Sequence, residues 1–320
     1  GKAFEATQNI VDWYAANTST PNSLHDGIAI VHSDAAGGNY GQLGMIASEH
    51  FLFMGNDWER PYSHTLRLMG VWGGVISHSR LAHASNGAVG TVELKMHAPD
   101  WTGSTLAHHT YTERVYLSDN MIDSTNSDWQ VVLGPQTSGN TDERLRDIIY
   151  ERNYHEAGPE CQLMLKMSGV DATIRNNVFN MTGGSYIAGV SISQRSIEPP
   201  PDNCRVNNNT FYRADSGDMD GVEVSSVASN TEVKNNLGSG PSGSQVFNGG
   251  GSGTSSAANI LTSSPGFVSS SPNSAEDFRL TAGSPAVDAG SFIQSVLIDY
   301  MQLSRPLGGG MDVGAFEYNP

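Results

Sequence analysis

Ile174-Arg175-Asn176-Asn177 and Val206-Asn207-Asn208-Asn209 are two copies of one phrase: an aliphatic residue, two polar steps, then Asn. The phrase returns as Phe53-Met54-Gly55-Asn56, Leu117-Ser118-Asp119-Asn120, Tyr150-Glu151-Arg152-Asn153 and Val233-Lys234-Asn235-Asn236. Ile76-Ser77-His78-Ser79 is the same phrase with Ser in the Asn place. From position 56 the steps to 79, 120, 153, 177, 209 and 236 are 23, 41, 33, 24, 32 and 27 residues. Repeats of this length make a solenoid. The shortest steps are one bare turn, and the longer ones are that turn plus a loop. Short strands with Asn at one corner of every turn predict an all-β fold, a single-stranded right-handed parallel β-helix of about nine or ten coils. The Asn side chains should hydrogen-bond along the axis, as in stacked β structures.

Composition agrees with one solenoid domain over residues 1–320. The chain has 36 Gly and 14 Pro, and its hydrophobic content of 38% suffices for a narrow core. The net charge of −16 argues against nucleic acid as a partner. No apolar run approaches the length of a membrane span. The chain opens Gly1-Lys2 without Met, which reads as a mature or trimmed protein. A monomer, secreted or at the cell surface, is expected. Cys161 and Cys204 read either as buried thiols or as a disulfide.

Residues 1–26 form the N-terminal cap region. Within it, residues 5–16 read as a helix, since Phe4, Val11, Tyr14 and Ala15 share one face. Residues 27–240 carry the coils, and residues 241–320 the last coils and an irregular closing segment. A Gly/Ser-rich loop spans 240–256. The tail carries Ser284-Pro285-Ala286-Val287-Asp288-Ala289-Gly290, Arg305-Pro306 and Asp312-Val313-Gly314-Ala315-Phe316-Glu317. It resembles the closing segment of secreted bacterial β-helix proteins and is expected to cover the last coil.

A second strand series precedes most Asn phrases: Leu66-Arg67-Leu68, Leu94-Lys95-Met96, Val131-Val132-Leu133, Leu165-Lys166-Met167, Val190-Ser191-Ile192 and Val222-Glu223-Val224. Period-two alternation puts the flanking aliphatics inside and the middle residue outside. The outward column is then Arg67, Lys95, Val132, Lys166, Ser191, Glu223. The column two residues later holds Met69 and His97. The column two residues earlier holds Thr65, Glu93, Gln130 and Met164, all expected to face solvent. Stacked strands lie roughly 4.8 Å apart, so Lys95 and Lys166 should be about 10 Å apart.

The chain has 17 Lys and Arg against 33 Asp and Glu, yet three of the first four outward positions are cationic. Such a stripe focuses the field on one groove and suits a ligand with carboxylates or sulfates at sugar spacing. The bland alternative is a strand face kept soluble. Glu93, Lys95 and His97 share a face of one strand. In β-elimination on a uronic acid a base takes the C5 proton, an acid protonates the leaving oxygen, and a cation neutralises the carboxylate. Lys95 suits the base, because neighbouring cations disfavour a further positive charge. His97 suits the partner acid or substitute base. Arg67 or Lys166 suits the carboxylate.

These residues resemble the chondroitinase B and alginate lyase family of β-helix polysaccharide lyases. The resemblance implies a catalytic Lys, matched by Lys95, and calcium held by an acidic residue, matched loosely by Glu93. The family's catalytic Arg on the next coil has no counterpart, since Val132 stands there. The implied activity is an enzyme, a lyase acting on an acidic polysaccharide.

Long loops, 98–113 and 135–146, flank the strand and should wall a binding face. Trp101, Tyr111, Arg114, Gln130, Arg144 and Arg195 are the candidate substrate contacts. Trp58, Trp72 and Trp129 read first as core or corner fillers. His97, His108 and His109 lack a recognised zinc spacing. Calcium would draw on Asp57, Glu59, Glu93 or the Asp142-Glu143 pair. Two other functions stay open. One is a glycoside hydrolase using paired carboxylates, from Glu93 with Asp142 or Glu143, or from Asp218 and Asp220. The other is a non-catalytic carbohydrate-binding or surface module.

Overall fold

The computed structural model describes residues 26–37, 44–46, 48, 50–61, 64–69, 71–82, 94–97, 111–123, 129–134, 144–183, 187–194 and 199–320. The expected N-terminal helix, residues 5–16, lies outside them. The described chain is a parallel β-helix with three sheets. The first and second sheets have nine strands and the third has eight, and every strand pairs with its counterpart about one coil away. One coil shows the plan: Arg144–Glu151 in the first sheet, Tyr154–Glu156 in the second, Leu163–Met167 in the third. All pairings between strands of successive coils are parallel.

The repeated phrase is the corner from the first sheet to the second. Asn120 Nδ2 donates to Asn153 Oδ1 at 2.9 Å, Asn153 to Asn177 at 3.0 Å, Asn177 to Asn209 at 2.9 Å, Asn209 to Asn236 at 3.0 Å and Asn236 to Asn259 at 3.0 Å. Each of these amides also donates to a backbone carbonyl of the coil before, as Asn177 does to Tyr150. Each oxygen also accepts the backbone N–H of the preceding rung, as Asn177 accepts from Asn153. No polar group of these buried rungs is left unmatched, which is what burial demands. Ser33 extends the column at its start and Asn259 at its end, both beyond the phrases read from sequence. Ser79 passes the backbone link but carries no amide to donate sideways.

The residue before each rung turns the chain in the left-handed region. His32, His78, Asp119, Arg152, Asn176, Asn208, Asn235 and Ala258 have φ between 49° and 57°, and Gly55 has 68°. Asn tolerates this conformation better than most residues, which explains the Asn-Asn doublets.

Inside the coils, aliphatic and aromatic residues stack in register. Phe179 and Phe211 lie parallel with centroids 5.1 Å apart, and His155 lies 4.7 Å from Phe179. Cys161 and Cys204 are both buried thiols, and burial pushes the Cys204 thiol up to about 12.

The closing segment corrects one expectation. It runs back along the flank of the second sheet, where its apolar residues pack. Tyr154, Val178 and Leu237 point outward from that sheet and bury Phe278, Leu280, Ala286, Val313, Ala315 and Phe316. Asn176 Nδ2 donates to Ile298 O, Asn208 Nδ2 to Asp312 O, and Asn235 Nδ2 to Ser291 O. The reason is compositional: an apolar outer column on several coils needs a cover more than one open end does. The segment is tied within itself by Arg305 and Glu317, a wholly buried ion pair at 2.7 Å.

Candidate functional site

The register of the third sheet is the one expected from sequence. Arg67 pairs with Lys95, Lys95 with Val132, Val132 with Lys166, Lys166 with Ser191, and Ser191 with Glu223. Met69 pairs with His97. The flanking residues Leu66, Leu68, Val131, Leu133, Leu165 and Met167 are core.

The column is more enclosed than an open solvated face. Val132 is 2% exposed and Lys166 7%. The Lys166 ammonium sits 5.5 Å from the centre of the Trp129 ring and donates to Gln194 O at 3.5 Å. A cation over an indole face in a sheltered place gains more from the ring than an exposed one. Trp129 is therefore half-buried beside the column.

Gln130 is a correction. Its side chain is wholly buried and faces the interior, where His155 Nδ1 meets its Oε1 at 2.8 Å and its amide donates to Glu156 O. Thr65 and Met164 in the same column are buried too. The alternation fails there: within the one strand Trp129–Leu133, Trp129 is half-exposed while Gln130 and Val131 are both buried. The imidazole of His155, desolvated by its burial, is pushed down to about 3 and stays neutral.

The longest strands among the described residues are Tyr111–Ser118 and Arg144–Glu151, eight residues each. Residues expected in loops are therefore strand residues, and Tyr111 pairs with Arg144. Just beyond them, Trp72, Glu113 and Arg146 are register neighbours on three successive coils. The Glu113 carboxylate accepts the Trp72 indole N–H through Oε1 and the Arg146 Nε–H through Oε2. Burial opposes its charge, yet the Arg146 ion pair and the Trp72 N–H hold the Glu113 carboxyl below the usual range. Arg114, exposed and at φ 59°, stands 5.1 Å from the Trp72 ring centre. His50 meets the same ring edge-on at 5.3 Å.

This cluster and the column meet at one corner. The third-sheet strand Leu66–Met69 is followed by Trp72–Ser77 of the first sheet, with only 70–71 between. In the next coils the same corner falls between the strands Leu94–His97 and Tyr111–Ser118, and between Trp129–Leu133 and Arg144–Glu151. Nine of the chain's 17 Lys and Arg belong to described strands of the third and first sheets, among them Arg67, Lys95, Lys166, Arg114, Arg144 and Arg146. Among the other candidates, Glu93, Trp101 and Arg195, and the pair Asp142 and Glu143, lie outside the described residues. Asp220 is buried and accepts from Asn248 at 2.9 Å, whereas Asp218 precedes the strand Met219–Val224. Sequence reasoning missed Glu113 and Trp72 as partners, because a 41-residue step hides a direct cross-strand contact.

Among the described residues no group of three or more His, Cys, Asp or Glu is placed to hold a metal ion, and Glu93, Asp142 and Glu143, named for calcium from sequence, lie outside them. A second buried cluster, Tyr116, Asp119, Glu151, Arg152 and Arg175, lies on the first sheet near the Asn corner. Arg175 there donates to Ser295 O of the closing segment, so this network fastens the flank.

No protein-family model matches the chain, and no curated protein matches it. Among solved structures, a glycoside hydrolase is similar over 69% of this chain, with TM-score 0.48 and 13% identity. The chain spans 38% of that protein's length. Pectate lyase Pel9A is similar over 96% of this chain and 91% of its own, with TM-score 0.43 and 10% identity. These are likenesses of chain path alone.

Proposed function

We propose that the chain is a carbohydrate-active enzyme that binds an acidic polysaccharide at the corner between its third and first sheets and cleaves it by β-elimination. One observation carries this reading: the pairing of Arg67 with Lys95, with Lys166 two coils beyond Lys95 in the same column. Cations at that spacing, about 5 and 10 Å, suit carboxylates on neighbouring sugars.

In the reaction, Arg67 neutralises the uronate carboxylate and so makes the C5 proton more acidic. The neutral Lys95 amine takes that proton. The C4–O bond breaks, a C4–C5 double bond forms, and the leaving oxygen is protonated by His97. Placing base and acid on one strand provides the proximity such a step needs. Localisation outside the cell follows from the same reading, since such polymers are extracellular.

The test is product chemistry. Alginate, pectate and chondroitin are each offered to the protein, and products are read by ultraviolet absorbance and by reducing-end assay. A lyase gives new ultraviolet-absorbing ends. Reducing ends without that absorbance mean hydrolysis, and binding without product means a non-catalytic module.

A further inference from the structure

Charge disappears from this chain before its last coil. No Lys, Arg, Asp, Glu or His occurs from Asn235 to Ala275, 41 residues (275 − 234), in a chain with 17 Lys and Arg and 33 Asp and Glu. The last strand of every sheet falls in that run: Gln245–Gly249, Ser255–Ala257 and Ile260–Leu261. None of the three contains Pro. Sheet edges are usually guarded by charge, by Pro or by a covering segment.

The described residues show this end open. Ser255, Ser256 and Ala257 are exposed. Leu261 is 45% exposed, although Phe179 and Phe211 in the same inward column are fully buried. Asn208 and Asn235 each donate a backbone N–H to the coil beyond, at 3.0 and 3.2 Å, whereas Ala258, their counterpart, has no coil beyond. Asn236 N–H goes to Asn259 Oδ1 at 2.9 Å, and no rung follows Asn259. After Leu261 the chain turns back along the flank, where Phe267 packs on Tyr212, two strands behind in the second sheet. A solenoid end needs a cover, because an open coil exposes both core and strand edge.

The chemistry of the end says what fits it. Two molecules of net charge −16 repel each other. They approach without like-charge contact where both are uncharged. Exposed Gln245 and Ser255 each donate and accept, so they match a second set of their own kind. A strand edge likewise offers both N–H and C=O groups to an antiparallel copy.

We infer that the last coil is an association edge for a second copy of this chain, the two solenoids meeting end to end about a two-fold axis, in place of the monomer expected from sequence. This stands apart from the saccharide reading, since the edge lies six strands from Arg67 in the third sheet.

The test is sedimentation of the wild type from about 1 to 200 μM at low and high salt. A dimer should form as concentration rises. Salt should strengthen it, because it screens the repulsion between two acidic bodies. The double variant Ser255→Lys with Ala257→Lys, at exposed positions, sets like charges against each other across the two-fold axis. It should associate at least about 10-fold more weakly, with the unfolding midpoint of the dilute protein unchanged. Hydrogen exchange of residues 258–261 in the wild type needs no variant, and it should slow as concentration rises. A wild type that stays monomeric throughout overturns the inference. So does a dimer that the double variant leaves intact, or one that salt loosens. A dimer broken instead by Phe292→Ser, at an exposed position of the closing segment, assigns the contact to the flank and overturns it as well.

Discussion

Arg67 and Lys95 are cross-strand partners on adjacent coils of the third sheet, although 28 positions (95 − 67) separate them in sequence. On the proposed reading, this pairing sets two basic residues one strand spacing apart, about 4.8 Å, where an acidic saccharide would meet both.

Lys166 tests the binding role apart from chemistry. It is sheltered by Trp129 and donates to Gln194 O. Lys166→Met keeps the volume and removes the charge, and an apolar replacement of a buried ion is often neutral for stability. Affinity for an acidic tetrasaccharide should fall about 10-fold, with an unchanged unfolding midpoint. A large drop in midpoint with affinity intact would make Lys166 a structural residue.

The Asn column should be the strongest polar element of the fold. Asn177→Ala removes bonds to Tyr150 O, Arg175 O and Asn209, and strands the backbone N–H of Asn153. Leaving buried groups unmatched should cost about 2–4 kcal/mol in denaturant unfolding. Asn259→Ala, at the half-buried end of the column, should cost about 1 kcal/mol or less. Equal losses at both sites would contradict a cooperative column.

How much of this was legible in sequence depends on the period of each signal. The Asn phrase was readable because every coil needs a left-handed residue followed by an amide at one corner. The third-sheet register was readable because Leu66-Arg67-Leu68 and its relatives alternate cleanly. Gln130 was misplaced because period-two alternation puts it on the face of Val132, whereas its amide is drawn inward to buried His155 and to Glu156 O. The Trp72–Glu113–Arg146 row was invisible because its members sit 41 and 33 residues apart with long insertions between. The closing segment was recognisable, but its docking site was set by the outer apolar residues of the second sheet, Tyr154, Val178, Tyr212 and Leu237.

Acid should weaken the fold through His155. Its folded value, about 3, lies below the unfolded value near 6.5. Between those values the unfolded chain binds the extra proton, so stability is full above about pH 6.5 and falls as pH drops, by about 1.4 kcal/mol per pH unit. Glu113 and Glu151, held low in the fold, add losses as pH falls below their usual range. His155→Gln should flatten the slope between pH 6.5 and 5, where carboxylates contribute little. An unchanged slope would remove His155 as its source.

Arg305 and Glu317 should hold the closing segment on the flank. Arg305→Met leaves Glu317 buried without its cation, which should cost about 3–5 kcal/mol. Hydrogen exchange should quicken in residues 290–318 and along the second sheet. The double variant Arg305→Met with Glu317→Gln should recover part of the loss. No change in exchange on the flank would mean the segment is fastened elsewhere.

The most direct measurement is the rate of double-bond formation from an acidic polysaccharide by the wild type and by Lys95→Ala, followed by ultraviolet absorbance. The wild type should generate unsaturated ends, and Lys95→Ala should do so at least about 100-fold more slowly while staying folded. A Lys95→Ala protein with the full wild-type rate, or a wild type that yields no unsaturated ends from any acidic polymer, would contradict the assignment.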